Sequence, residues 1–119
     1  MMTLDPDWSE SGFAVDFQTG LRSYFVDGVI DHEGDGTLLG VEILGLLLDC
    51  EGIEDPNAEE LQRAGLMSVS IDPDADAIYL RVRQGRATHQ LVRQTIVIID
   101  DQHRLCRVHV SSQSPARTH

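Results

Sequence analysis

The sequence predicts an α+β fold dominated by antiparallel strands, with two pseudo-repeated β-hairpin or meander units joined by a short helical linker. Three observations predict it. Apolar and polar residues alternate in short runs bounded by Gly, Pro, Asp and Asn. One compact central segment carries helix start and stop signals. A strand, acidic turn, strand pattern occurs twice. At 119 residues the chain fits one domain, divided here into a first β unit over 12–45, a linker over 46–65, a second β unit over 66–111 and a loose tail over 112–119.

Taken in order, residues 1–11 read as an irregular lead-in, pinned by Trp8. Phe13-Ala-Val15-Asp-Phe17 alternates like a half-buried strand. Residues 18–20 suit a turn, and 24–30 a strand in which Asp27-Gly28 marks a bulge or tight turn. Residues 38–44 form the next strand, with Leu39, Val41 and Ile43 on one face. Residues 46–51 suit a helical turn. Over 55–65, Asp55 is the expected N-cap and Pro56 the first helical residue, with acids in the first turn and Gly65 at the end. The last third returns to strands over 67–71, 76–83 and 89–99. The final strand, over 105–110, turns Cys106, Val108 and Val110 inward. The run Thr95-Ile-Val-Ile-Ile99 predicts burial on both faces.

Two segments carry the repeat. Val29-Ile30-Asp31, a loop and residues 38–43 match Ile98-Ile99-Asp100, a loop and residues 105–110, the first loop being longer by about two residues on this matching. Upstream, 13–17 matches 67–71 in alternation. Such units are expected to pair pseudo-symmetrically and bury a shared face.

The stretch 70–83, Ser-Ile-Asp-Pro-Asp-Ala-Asp-Ala-Ile-Tyr-Leu-Arg-Val-Arg, resembles the hallmark of domain-of-unknown-function family 2283, a small bacterial β-rich domain. In that pattern Asp72, Pro73, Asp76, Ala77, Tyr79 and Arg81 occupy the D-P-x-x-D-A-x-Y-x-R positions. The family's closing motif, G-[IV]-E-[IL]-L, is matched by 40–44, while Arg107 and His109 stand in place of its Gly and Glu in the second copy. The resemblance spans most of 13–110. It implies a partner-binding accessory protein of antitoxin-like type, and no catalytic residues.

Net charge is −11, unevenly spread, with no lysine. Residues 1–60 hold fifteen of the 20 acids and one base; residues 61–119 hold five acids and eight arginines, so the halves carry −14 and +3. Such a balance repels phosphate, which argues against direct nucleic-acid or anionic-membrane binding, and it suits a basic partner. No apolar run is long enough to span a bilayer, and the acidic N-terminus is unlike a signal peptide, so a cytoplasmic protein is expected. Cys50 and Cys106 are then expected as reduced thiols. The five histidines show no zinc spacing.

Asp31, Glu33, Asp35 and Glu42, with Gly36 at the sixth place, match the ligand spacing of an EF-hand calcium loop. Flanking strands instead of helices favour an acidic hairpin turn. Asp72, Asp74 and Asp76 read as an Asx-type turn cornered by Pro73. Tyr79, Arg81 and Arg83 are expected on one strand face, as an anion or partner platform or as pairing partners for the acids of the first half. Three functional readings follow: an accessory module binding a protein, self-association included; a carboxylate enzyme or calcium-binding domain; and a nucleic-acid mimic. The first is preferred, with no cofactor.

Overall fold

The structure, a computed structural model, describes residues 2–3, 13–17, 22–50 and 52–111. Most of the lead-in with Trp8, the turn expected at 18–20 and the tail over 112–119 lie outside the described residues. The described residues form eight strands: β1 Met2–Thr3, β2 Phe13–Asp16, β3 Arg22–His32, β4 Leu38–Leu44, β5 Ser68–Asp72, β6 Ala77–Arg81, β7 His89–Ile99 and β8 Leu105–Val110. Between β4 and β5 run α1, Leu46–Asp49, and α2, Ala58–Ala64. The strands make one sheet in the order β1-β2-β8-β7-β3-β4-β6-β5, antiparallel at every joint and curled into a half-barrel. The two helices, of 4 and 7 residues, are too short to form a layer of their own. The fold is therefore mainly antiparallel sheet, as the alternation predicts.

The centre of the sheet is the long β3–β7 ladder, in which Arg22 faces Ile99 and His32 faces His89. Strand β3 runs straight through Asp27-Gly28, so the expected bulge is corrected. The register shifts instead at Leu39 of β4, the extra residue opposite Asp31 and His32, and at Cys106 of β8, the extra residue opposite Ile98 and Ile99. Gly28 has a packing reason to be glycine: a β-carbon there would collide with the hydroxyl of Thr95, the one buried polar side chain among the described residues. Thr95 returns that hydroxyl to the Arg93 carbonyl at 3.2 Å. The β3–β4 and β7–β8 turns cover residues 33–37 and 100–104 and are equal in length, so the longer first loop read from the sequence is also corrected.

The inner face holds the core. Ile30, Val41, Ile43, Ile78, Leu80, Val97, Ile99, Val108 and Val110 point inward from five strands, closed by Leu46, Cys50, Ile53, Ala64 and Leu66 from the segment between β4 and β5. Each such aliphatic chain contributes about 1.5–3 kcal/mol on burial. Leu39, Val41 and Ile43 are buried as expected, and Cys50 and Cys106 are buried thiols outside any disulfide, that of Cys106 donating to the Arg104 carbonyl at 3.4 Å.

The N-cap of α2 is Asn57, two residues beyond the expected Asp55. Its Oδ1 accepts from the Glu60 amide at 2.8 Å, and Glu60 Oε1 accepts from the Asn57 amide at 3.1 Å. This Asn-x-x-Glu capping box satisfies two amides at once, which Asp55 has no partner to do. Gly65, at φ 75°, ends the helix as expected. Helix α1 begins after a left-handed Gly45 that supplies no side-chain cap. The cap comes from afar: Asp76 Oδ1 accepts from the Leu47 amide at 2.7 Å, and the Asp76 carbonyl from Gly45 at 3.1 Å.

Candidate functional site

Strand alternation puts every second residue of the sheet on the outer face. On the central ladder these are Phe25, Asp27, Val29 and Asp31 from β3, opposite Ile96, Gln94, Val92 and Gln90 from β7. Phe25 is 70% exposed and Val92 41%, and Val29, Ile96 and Ile98 are half-buried. An apolar row thus crosses the middle of an open sheet face, with the Asp27–Gln94 pair at its centre. The run 95–99 is therefore not buried on both faces as expected: Thr95, Val97 and Ile99 are, while Ile96 and Ile98 reach solvent.

One flank of this row is polar and pre-organised. Tyr79, on β6, donates its hydroxyl to Asp31 Oδ2 at 3.0 Å, two strands away, and Gln90 Nε2 donates to Asp31 Oδ1 at 2.8 Å. The ring reaches that far because it lies across Gly40, where any β-carbon would collide with the phenol. Burial, then the hydrogen bond to Asp31 and that carboxylate's charge, push the Tyr79 phenol up to about 12. The Arg81 guanidinium carbon stands 5.2 Å from the centre of the same ring. Glu42 lies opposite Tyr79 in the ladder.

The other flank is a cavity of about 210 Å³ lined by Ile96, Ile98, Arg107 and His109.

The carboxylates singled out by spacing fall in different places. Asp31 is on β3 and already serves two donors. Glu33 and Asp35 are in the hairpin turn, where the Glu33 carboxylate lies against Gly85 and Asp35 Oδ1 accepts from the Thr37 amide at 2.9 Å. That bond, with Arg83 adding a smaller effect from farther off, holds Asp35 below the usual carboxylate range. Glu42 is on β4, opposite Val29. The acidic hairpin turn is what forms, and among the described residues no group of three His, Cys, Asp or Glu side chains stands close enough to hold a metal.

The 72–76 segment is an Asx turn: Asp72 Oδ1 accepts from the amides of Asp74 and Ala75 at 3.1 and 3.3 Å. Pro73 corners it, its carbonyl accepting from Asp76 at 3.3 Å. Asp76 itself is left-handed, at φ 49°, and Ala77 is buried at the start of β6. Tyr79 and Arg81 share the outer face as expected. Arg83 lies past the end of β6 at Arg81, its amide still bonded to the Leu39 carbonyl at 3.2 Å. Among the described residues neither arginine forms an ion pair with an acid of the first half. The described ion pairs are local, Arg63 with Glu59 at 3.5 Å and Arg104 with Asp100 at 2.9 Å, while Arg81 takes the Tyr79 ring instead.

Sequence reasoning missed Phe25, Val92, Ile96, Ile98 and Gln90 as surface-forming residues. The available signal was apolar residues on both alternations of the two longest strands, and it was absorbed into a reading of double burial. No family model, no curated protein and no solved structure matches the chain. No described helix is long and apolar enough to cross a membrane.

Proposed function

We propose that the chain is a protein-binding accessory module built by internal duplication, and that the outer face of its central ladder is the binding surface. The observation that carries the reading is Phe25, an aromatic 70% exposed in the middle of a sheet beside Ile96 and Ile98, with Val29 and Val92 beyond the Asp27–Gln94 pair. Single exposed apolar residues need no explanation; a cluster of them rimmed by polar groups marks an interaction site. The strongly acidic character, −11 overall, suits a basic protein as the partner.

Strand order supports the duplication. Exchanging β1, β2, β3 and β4 for β5, β6, β7 and β8 leaves the order of the sheet unchanged. The registers exchange too. Val15 faces Val108 as Leu80 faces Val41, and Val29 faces Glu42 as Ile96 faces His109. Both hairpin turns place a positive φ at the same step, Gly36 at 92° and His103 at 60°, and the turns' backbone hydrogen bonds correspond. On this reading Phe13–Asp16 corresponds to 78–81 and not to 67–71. In sequence, Asp5-Pro-Asp7 then corresponds to Asp72-Pro-Asp74. Each unit lends its first two strands to the second hairpin of the other, so the core is shared and neither half closes alone. Phe25 and Val92, the two most exposed apolar residues of the central ladder, become equivalent positions.

The test is capture of a basic protein on immobilised chain at low and high salt, with wild type beside Phe25→Asp. The expected result is a salt-eluted protein retained by wild type and lost by the variant at unchanged melting temperature. Equal retention by both would remove the face from the reading.

A further inference from the structure

We infer that the cavity between β7 and β8 is the receiving pocket for an aromatic side chain carried by the protein partner. The inference rests on the duplication and binding-face reading above. Under that duplication the lining residues Ile96, Ile98, Arg107 and His109 correspond to Val29, Asp31, Gly40 and Glu42. Across the second set lies the Tyr79 ring, its hydroxyl on Asp31 and its plane against Gly40. The fold already stacks an aromatic side chain on this piece of sheet, from its own β6.

On the other flank the delivering strand is β2, which meets β8 in the register with which β6 meets β4: Ala14 faces His109 as Tyr79 faces Glu42. Alanine brings no ring; Ala14 itself is buried, and the cavity of about 210 Å³ lies beside it over Ile96, Ile98, Arg107 and His109. Drug-sized or cofactor sites run to about 300–1,000 Å³. This one is the size of a single side chain.

The chemistry of the lining has changed in step. The hydroxyl acceptor Asp31 is replaced by Ile98, so the floor of Ile96 and Ile98 suits an apolar ring with no demand for a phenol. Arg107, at the place of Gly40, brings a guanidinium beside that ring, as Arg81 stands 5.2 Å from the Tyr79 ring. Ile96 also belongs to the row with Phe25, so the pocket opens directly onto the proposed surface, where aromatic anchors in pockets carry most binding energy.

The probe is N-acetyl-phenylalanine amide, titrated into the full chain while the Ile96 and Ile98 methyl signals and the His109 ring signal are followed by NMR. Saturable shifts at these three residues, with a Kd in about the millimolar range, are expected, and a response roughly tenfold weaker to N-acetyl-leucine amide. Ala14→Tyr, which supplies the missing ring from within, should abolish the shifts. Ile98→Glu, a half-buried outward position, should do the same if Ala14→Tyr fails to fold. No shifts up to the solubility limit, an equal response to the leucine probe, or shifts that survive Ile98→Glu would each overturn the pocket. Val92→Asp alters the proposed face outside the lining, opposite Val29, so probe binding that persists while partner capture fails separates this inference from the module reading.

Discussion

The Tyr79 hydroxyl meets the Asp31 carboxylate at 3.0 Å by passing over Gly40, a residue on the strand between them. The contact joins β6 to β3 without help from the ladder and seals one flank of the outer face. It makes Gly40 and Tyr79 a coupled pair. Gly40→Ala should destabilise the fold by about 2–3 kcal/mol, the upper end of overpacking and displaced hydrogen bonding. In a Tyr79→Ala background the same change should cost less, though not nothing, since the Leu80 carbonyl also lies 2.8 Å from the new β-carbon. Denaturant melts of the four chains give the coupling, and additive costs would show that the ring does not rest on Gly40.

The same contact sets an alkaline limit. A phenol raised to about 12 from its ordinary 10 favours the folded chain while it is protonated. Its contribution is complete below pH 10 and is lost as pH climbs from 10 towards 12. Wild type should therefore lose stability across that window faster than Tyr79→Phe, measured as the difference in unfolding midpoint at pH 9 and pH 11. Parallel decline in the two chains would place the phenol in ordinary solvent.

How much of this was legible in the sequence differs from element to element. Alternation located every strand of the second half, and the inward residues 41/43 and 108/110 were read correctly, because a buried face has period two; Leu39 and Cys106 fall at register shifts, and Leu38 and Leu105 join the core in their place. Asp27-Gly28 misled because the dipeptide is ambiguous locally: its glycine answers to Thr95, on a partner strand distant in sequence. Asp55-Pro56 misled for a similar reason, since the Asn57–Glu60 box outbid it. The carboxylate spacing at 31–42 was real, but the strands hold Asp31 and Glu42 on the sheet beside Tyr79 and leave Glu33 and Asp35 in the turn. The outer face escaped because exposure belongs to the sheet as a whole. Apolar runs on β3 and β7 say how much could be buried, and only the strand order says what covers them.

Asp76 is a turn residue in sequence and a helix cap in space. Its carboxylate takes the Leu47 amide at 2.7 Å while its backbone holds a left-handed φ of 49°. Asp76→Ala loses the cap and keeps the strain, for an expected loss of about 1–3 kcal/mol. Asp76→Asn keeps an acceptor and a residue tolerant of that φ, and should recover most of it. Equal melting temperatures for wild type and Asp76→Ala would show that α1 needs no external cap.

Acid should weaken the turn between β7 and β8. Burial raises the Asp100 carboxyl, but the Arg104 and Gln102 amides and the Arg104 guanidinium outweigh it and leave the group below the usual range. A depressed carboxylate stabilises the fold above its unfolded pKa of about 3.9, and that contribution fades as pH falls through the folded value. Asp100→Asn keeps one acceptor and gives up the charge, with its side chain 15% exposed against Arg104. It should cost about 1–2 kcal/mol at pH 7 and less at pH 3, where wild type has begun to lose the same charge. Because residues 100–104 also carry the parallel bridge from Glu54 to Arg104, hydrogen exchange at the Glu54 amide, bonded to the His103 carbonyl at 3.0 Å, should quicken with the variant. Unchanged exchange there would confine the role of Asp100 to its own turn.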